Sequence, residues 1–378
     1  MRKVCYVTGS RADFGLMAST LLRIKEHPQL EISLCVTGQH LLPEYGNTLA
    51  DIESLNLPVI AKVPVKLDGT SGATMARAIA NELLGMVDVF ESNRPDIVLV
   101  LGDRGEMLAA ALAAVHLNIP VVHLHGGEHS GTIDDQVRHA ISKLAHYHFV
   151  ATPNAKECLI GMGENHKRIF VTGAPGLDGL AKTKYPSRNE MATCWGFDEN
   201  KPIVLMVFHP VVQEEEEAGE QADSILQALQ KTGVQVLCLE PNSDAGGASI
   251  KKVIARYIGG QNFRKVEHLQ RTEFLAWLSC VDILVGNSSS GIIEAASFGT
   301  PVLNIGSRQQ NRERSGNVTD VQPVTNDLIT AINLVLDIGR GQWENVYGDG
   351  NAGERIVELL AKLPLTTALL SKANVDEQ

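Results

Sequence analysis

The chain has no apolar run long enough to span a bilayer. Its start, Met1-Arg2-Lys3-Val4-Cys5-Tyr6-Val7, turns directly into a strand pattern, whereas a cleavable leader needs a longer apolar stretch and a small-residue cleavage site. It has no CxxC pair. The six cysteines (Cys5, Cys35, Cys158, Cys194, Cys238, Cys280) are scattered, several in or beside strand-like runs, which fits buried free thiols in a reducing cytoplasm. Nor is there an excess of positive charge: 33 Lys and Arg face 44 Asp and Glu, and a net charge of −11 argues against nucleic acid and anionic membranes as partners. No internal repeat or low-complexity segment is present, and the acidic run Glu214 to Glu217 reads as a solvated helix start.

What remains is a chain of 378 residues, 44% hydrophobic, enough for two domains each with a core. Short apolar runs alternate with amphipathic stretches throughout. In the first half the strand candidates are 4–7, 32–36, 97–101, 121–124 and 169–171, separated by helical patterns at 14–25, 73–90, 105–116, 134–145 and 155–162. A second series has strands at 203–208, 234–239, 283–285 and 302–305, with helices near 219–231, 248–257, 272–279, 292–298 and 326–336. Such alternation predicts an α/β protein of two Rossmann-like, doubly wound domains, 1–175 and 201–378, joined by a crossing at 176–200. A late helix, 353–363, is free to pack across the boundary. Ligands on such sheets bind beyond the strand carboxyl ends, so a cleft faced by both domains is the expected pocket.

The chemistry-bearing residues fall at those ends. The most informative segment is Gly286-Asn287-Ser288-Ser289-Ser290-Gly291-Ile292-Ile293-Glu294, a strand, a Gly/Ser turn and a helix start. Its backbone N–H groups and three hydroxyls suit a phosphate, and Glu294 lies one turn in, within reach of a ribose. The first strand ends in Thr8-Gly9-Ser10-Arg11-Ala12-Asp13, where Arg11 offers two parallel bonds to a phosphate and Asp13 can serve the ligand or cap the next helix. Another ends in Gly102-Asp103-Arg104, and the densest ionisable cluster follows at His123 to His139. There Asp134 and Arg138 share one helix face, so neighbouring strand ends can gather Asp103, Glu128 and Asp134 as crowded carboxylates for acid and base roles. His123, His125, His129, His146 and His148 invite a zinc reading, but no cysteine or HExxH helix completes a familiar ligand set, and packing is the simpler role for His146 and His148. In the second half His209 suits a leaving diphosphate, while Asn242 and Arg308 end the strands on either side of the serine loop.

Taken in chain order, these segments resemble the UDP-N-acetylglucosamine 2-epimerase family, in its hydrolysing, sialic-acid-pathway branch. The resemblance runs through TGSRADFG (8–15), VTGQH (36–40), LGDR (101–104) and HGGEHSGTIDDQVRHAISKLAH (125–146). It continues through FHP (208–210), PNSDAG (241–246), GNSSSGIIE (286–294) and FGTPVLNIGSRQ (298–309). It implies a glycosyltransferase-B-like fold, a cytoplasmic homodimer, no cofactor, no metal, and UDP-N-acetylglucosamine converted to N-acetylmannosamine and UDP. The substrate contacts it implies are Arg11, Asp13, His40, Arg104, Arg138, Asn242, Ser288, Ser289, Ser290, Glu294 and Arg308. Asp103, Asp134, Glu128, His125 and His209 are the implied catalytic groups. One position departs: relatives with H-I-E-G-G-E carry glutamate where this chain has His125. Either His125 or Glu128 then takes that proton role, and the change also fits a different N-acylated sugar, such as UDP-N,N'-diacetylbacillosamine. A glycosyltransferase of the same fold would need the UDP grip but only one base.

Overall fold

The computed structural model describes residues 1–42, 48–65, 72–131, 133–242 and 246–372; Thr132 and Ser243-Asp244-Ala245 of the quoted motifs lie outside the described residues. Two compact units emerge, one of Met1–Glu128, Asp134–Gly179 and Tyr347–Gln378, the other of His129–Ile133 and Leu180–Val346. Apart from the short segment His129–Ile133, the chain enters the second unit after Gly179 and returns to the first at Tyr347.

The first unit is built on seven parallel strands: β1 (Arg2–Thr8), β2 (Leu30–Val36), β3 (Val59–Lys62), β4 (Ile97–Leu101), β5 (Val121–Leu124), β6 (Tyr147–Val150) and β7 (Ile169–Val171). Between them run α1 (Arg11–Glu26), α2 (Leu49–Ser54), α3 (Gly72–Asn93), α4 (Gly105–His116), α5 (Ile133–Leu144) and α6 (Pro153–Gly161). The β4 sequence, Ile-Val-Leu-Val-Leu, is apolar at every position and buried at every position, as a parallel strand covered on both faces must be. Its side chains feed two cores. Leu99 and Leu101 join Val4, Tyr6 and Leu21 on one face, and Val98 and Val100 join Val7, Met86 and Phe90 on the other. Strand order is β3-β2-β1-β4-β5-β6-β7, so the winding reverses between β1 and β4. The loops after those two strands flank the switch point, where this architecture leaves a crevice for ligands.

The second unit repeats the plan with β8 (Ile203–Val207), β9 (Gln235–Leu239), β10 (Phe263–Val266), β11 (Ile283–Gly286), β12 (Val302–Ile305) and β13 (Val318–Val321). Its helices are α7 (Arg188–Trp195), α8 (Ala218–Thr232), α9 (Gly247–Ile254), α10 (Arg271–Cys280), α11 (Ser289–Ile293) and α12 (Thr325–Ile338). The order β10-β9-β8-β11-β12-β13 puts the switch point between β8 and β11. The loops carrying His209 and the three serines are thus neighbours by topology.

The last helices, α13 (Ala352–Lys362) and α14 (Thr367–Leu370), cluster with the first unit, the packing across the boundary that the sequence left open for 353–363. Ile356, Val357 and Leu360 of α13 enter the core around Leu21. Asp178 caps α13, accepting from Ala352 N (2.8 Å) and Gly353 N (2.7 Å). At the chain's end Lys372 donates to the Ser142 and Ala145 carbonyls (2.9 and 2.7 Å), satisfying acceptors at the end of α5. Among the described residues no helix is long and apolar enough to cross a membrane.

Candidate functional site

In the first unit the site is assembled by one buried cation. Arg138, on α5, is 1% exposed. It donates to the Asp103 carboxylate at the end of β4 and to the His125 carbonyl (2.8 Å) at the end of β5, and stands 3.9 Å from Glu128. Glu128 closes the ring by accepting from His125 Nδ1 at 2.5 Å. The tight geometry explains the glycines here. A Cβ on Gly127 would come within 2.2 Å of the Ala155 carbonyl, and His125 itself has φ +59°, a region that strains a side-chain-bearing residue. Of the predicted acid/base residues, Asp103, His125 and Glu128 therefore meet around Arg138, and Asp134 lies half-buried one turn before it on α5.

The β1 loop is organised differently from the sequence reading. Ser10, not Asp13, is the N-cap of α1, with Asp13 answering from the third helical position. Asp13 is buried and accepts from Gly9 N (3.1 Å), Ser10 N (2.7 Å), the Ser10 hydroxyl (2.8 Å) and the Thr8 hydroxyl. Its oxygens are spent on its own loop. Since Thr8 gives its proton to Asp13, His40 Nε2 must donate to Thr8 (3.0 Å), leaving Nδ1 to accept from Thr48 (2.9 Å). His40 is thus a neutral, buried imidazole, and burial lowers its pKa. Arg11 forms an ion pair with Asp51 at 2.7 Å, and Arg104 is the N-cap residue of α4, 3.4 Å from Glu106.

Three other histidines, His123, His146 and His148, are bound up in the scaffold. His123 is fully buried, bonds to Gly102 O (2.8 Å) and the Ser142 hydroxyl (3.1 Å), and is pushed down to about 3 by desolvation. His146 Nδ1 accepts from Val121 N (3.0 Å), and His148 bonds to Glu164 (3.1 Å). Among the described residues no group of three or more His, Cys, Asp or Glu is arranged to hold a metal ion.

In the second unit the organiser is a residue that sequence reasoning passed over. Asn287 is 1% exposed and exchanges two bonds of 2.8 Å with the His209 backbone, tying the β8 and β11 loops together. Its carbonyl accepts from Arg308 (3.1 Å) and Gln309 (3.1 Å), adding the β12 loop. His209 Nδ1 accepts from Asn242 N (3.1 Å), which leaves Nε2 as the protonated nitrogen of a neutral ring. The glycine before Asn287 is required: a Cβ on Gly286 (φ +141°) would lie 2.0 Å from the Val207 carbonyl. Ser288 caps α11, with its hydroxyl 2.8 Å from that of Ser290. This helix spans only Ser289–Ile293 before a 3-10 turn at Ala295–Phe298, so the loop offers local N–H groups and hydroxyls rather than a long helix dipole. Glu294 is buried and held by Arg271 at 2.5 Å.

Each unit thus gathers a set of polar side chains at its strand ends, an ionisable cluster in the first and a donor-rich loop set in the second. Known proteins resemble the chain over nearly its whole length. The family described as UDP-N-acetylglucosamine 2-epimerase matches residues 22–361. A Legionella pneumophila protein named UDP-N,N'-diacetylbacillosamine 2-epimerase (hydrolyzing) is 50% identical over 374 residues, 99% of each chain. A UDP-N-acetylglucosamine 2-epimerase of Neisseria meningitidis serogroup B is 33% identical over 364 residues, 95% of each chain. The solved structure of a Neisseria meningitidis UDP-GlcNAc 2-epimerase bound to UDP-GlcNAc superposes with a TM-score of 0.82 at 24% identity, covering 95% of this chain and 100% of that one, and shares its glycosyltransferase-B-like fold. With nearly its whole length matched, the chain belongs to the UDP-N-acetylglucosamine 2-epimerase family.

Proposed function

We propose that this protein is a hydrolysing 2-epimerase whose substrate is UDP-N,N'-diacetylbacillosamine, in place of the UDP-N-acetylglucosamine of the sialic-acid branch. The observation that carries the substrate is the 50% identity, over 99% of both chains, with the Legionella pneumophila enzyme of that name. His125 in place of the glutamate of H-I-E-G-G-E supports it, because a changed proton donor beside the sugar fits a changed sugar.

The chemistry follows from the sugar. Its C2 hydrogen is not acidic, since no carbonyl is adjacent. Breaking the C1–O bond to UDP first builds oxocarbenium character, which acidifies C2–H. The leaving diphosphate is met by His209 Nε2–H, the Ser288 to Ser290 donors and Arg308, with Arg11 and Arg104 as further cations, all preorganised in their loops. Asn242 and the Glu294 carboxylate serve the nucleoside, and His40 serves the sugar. One of Asp103, His125, Glu128 and Asp134 takes the C2 proton, giving a glycal. Water then adds at C1 while another of these groups returns a proton to C2 from the opposite face, so that the products are UDP and the free sugar with C2 inverted. Linked His125 and Glu128 can act as one unit, Glu128 orienting the ring and holding its charge. A glycosyltransferase would need a single base, whereas several proton-handling groups surround Arg138.

Competition between the two sugar nucleotides at equal concentration tests the assignment. UDP-N,N'-diacetylbacillosamine should be hydrolysed with a kcat/KM at least roughly tenfold higher, the scale of one well-recognised substituent. Preference for UDP-N-acetylglucosamine would return the enzyme to the sialic-acid branch.

A further inference from the structure

Two buried carboxylates of the first unit have no part in the chemistry above. Glu106, in the first turn of α4, is 8% exposed, and Glu82, on α3, is 2% exposed. The Glu106 side chain fills the space that glycine leaves at the ends of two other strands. A Cβ on Gly9, after β1, would lie 2.8 Å from Glu106 Oε1, and a Cβ on Gly38, after β2, would lie 2.8 Å from the same oxygen. Its third neighbour is Arg104 Nε at 3.4 Å, after β4. One carboxylate is therefore seated against the three loops that carry Arg11, His40 and Arg104.

Glu82 is buried near enough for the two charges to act on each other. The Thr37 hydroxyl is 2.8 Å from the Val63 carbonyl and 3.0 Å from Glu82 Oε1. It has one proton, and the carbonyl can only accept. That single proton is directed at both oxygens, so an ionised Glu82 competes with Val63 for it. Burial and the charge of Glu106 act in the same direction, pushing Glu82 up to about 8, against smaller lowering by Thr37 and Arg104. Among the described residues Cys35 of β2 also lies close enough to feel the Glu82 charge, and burial keeps its thiol protonated.

We infer that Glu106 is a positioning residue that holds the β1, β2 and β4 loops in register for the UDP-sugar, with Glu82 supporting it as a buried neutral acid. This rests on the reading of those loops as substrate contacts. Ionising Glu82 places a second negative charge near Glu106 and takes the Thr37 proton from Val63, so substrate binding loosens at alkaline pH.

The test is the pH dependence of KM in wild type, Glu82→Gln and Glu106→Gln. The side-chain amide introduced by Glu82→Gln carries no charge at any pH, and its oxygen still accepts from Thr37. Wild-type KM for the UDP-sugar should climb roughly tenfold from about pH 7 to pH 9, while that of Glu82→Gln stays level and Glu106→Gln shows a raised KM throughout. Melting curves give a readout independent of turnover. A carboxyl whose folded pKa is raised from 4.5 to about 8 binds more protons folded than unfolded, so wild type should lose stability relative to Glu82→Gln as pH rises through that window, and no further above it. Superimposable KM profiles, or wild-type KM in Glu106→Gln, would overturn the proposal. If wild type releases no UDP from any UDP-sugar, the functional reading fails separately. The melts then decide: diverging curves uphold the carboxylate pair, and coincident curves dismiss it.

Discussion

Asp103→Asn should lower turnover by roughly two orders of magnitude, the usual worth of a proton-transfer group, while KM changes little. The amide keeps the shape of the carboxylate and still offers Arg138 an oxygen, so the β4 turn should stay in place. What it loses is the capacity to accept a proton. UDP affinity should be nearly unchanged, because the donors assigned to the diphosphate include the β8, β11 and β12 loops, which Asn287 holds together without Asp103. Steady-state kinetics and UDP binding by calorimetry check both halves of this expectation. Near-normal turnover would remove Asp103 from the proton chemistry.

Arg138→Met should be more damaging still, and in stability as well as rate. Methionine fills much of the volume but leaves Asp103 and Glu128 without their shared cation in a site where the guanidinium was 1% exposed. Breaking a buried charge pair from one side costs about 3–5 kcal/mol, far more than losing a surface pair. For a unit of this size that corresponds to a melting temperature lower by about 6–20 °C. The direction with pH is fixed by the same argument. Stranded carboxylates are harder to ionise, so the variant should regain stability relative to wild type as pH falls and they take up protons. Turnover should fall below that of Asp103→Asn, since the His125 carbonyl, Asp103 and Glu128 all lose their common anchor. A melting temperature within about 2 °C of wild type would mean that the cluster is not held by this residue.

Much of this was legible in the chain. The alternation of apolar runs with amphipathic stretches gave strands such as 97–101 and 121–124 with the observed bounds of β4 and β5. The strands that escaped notice have physical reasons. β3 and β10 are sheet edges with no fully buried residue, β10 reading Phe-Arg-Lys-Val, and β13, Val-Thr-Asp-Val, is the opposite edge of its sheet. An edge strand meets solvent on one side and so lacks a continuous apolar run. β6 is an interior strand, but its histidine, neutralised by burial and bonded to Glu164, interrupts the pattern. Local motifs likewise marked the loops that carry polar chemistry, because glycine turns and ionisable residues cluster in sequence. The residues that organise those loops were silent, since their partners are distant in the chain. Asn287 reads as one polar residue among serines until its bonds to His209 are seen, and Glu106 reads as a helix-start acid until Gly9 and Gly38 are found against it.

Epimerisation by this route requires removal and return of the C2 proton as UDP departs. Incubating the enzyme with UDP-N,N'-diacetylbacillosamine in deuterated water, and following the products by NMR and mass spectrometry, tests this most directly. Free UDP should appear together with a C2-inverted sugar carrying deuterium at C2. Free UDP with a sugar that keeps its original hydrogen at C2, or deuterium appearing only in intact sugar nucleotide, would contradict it.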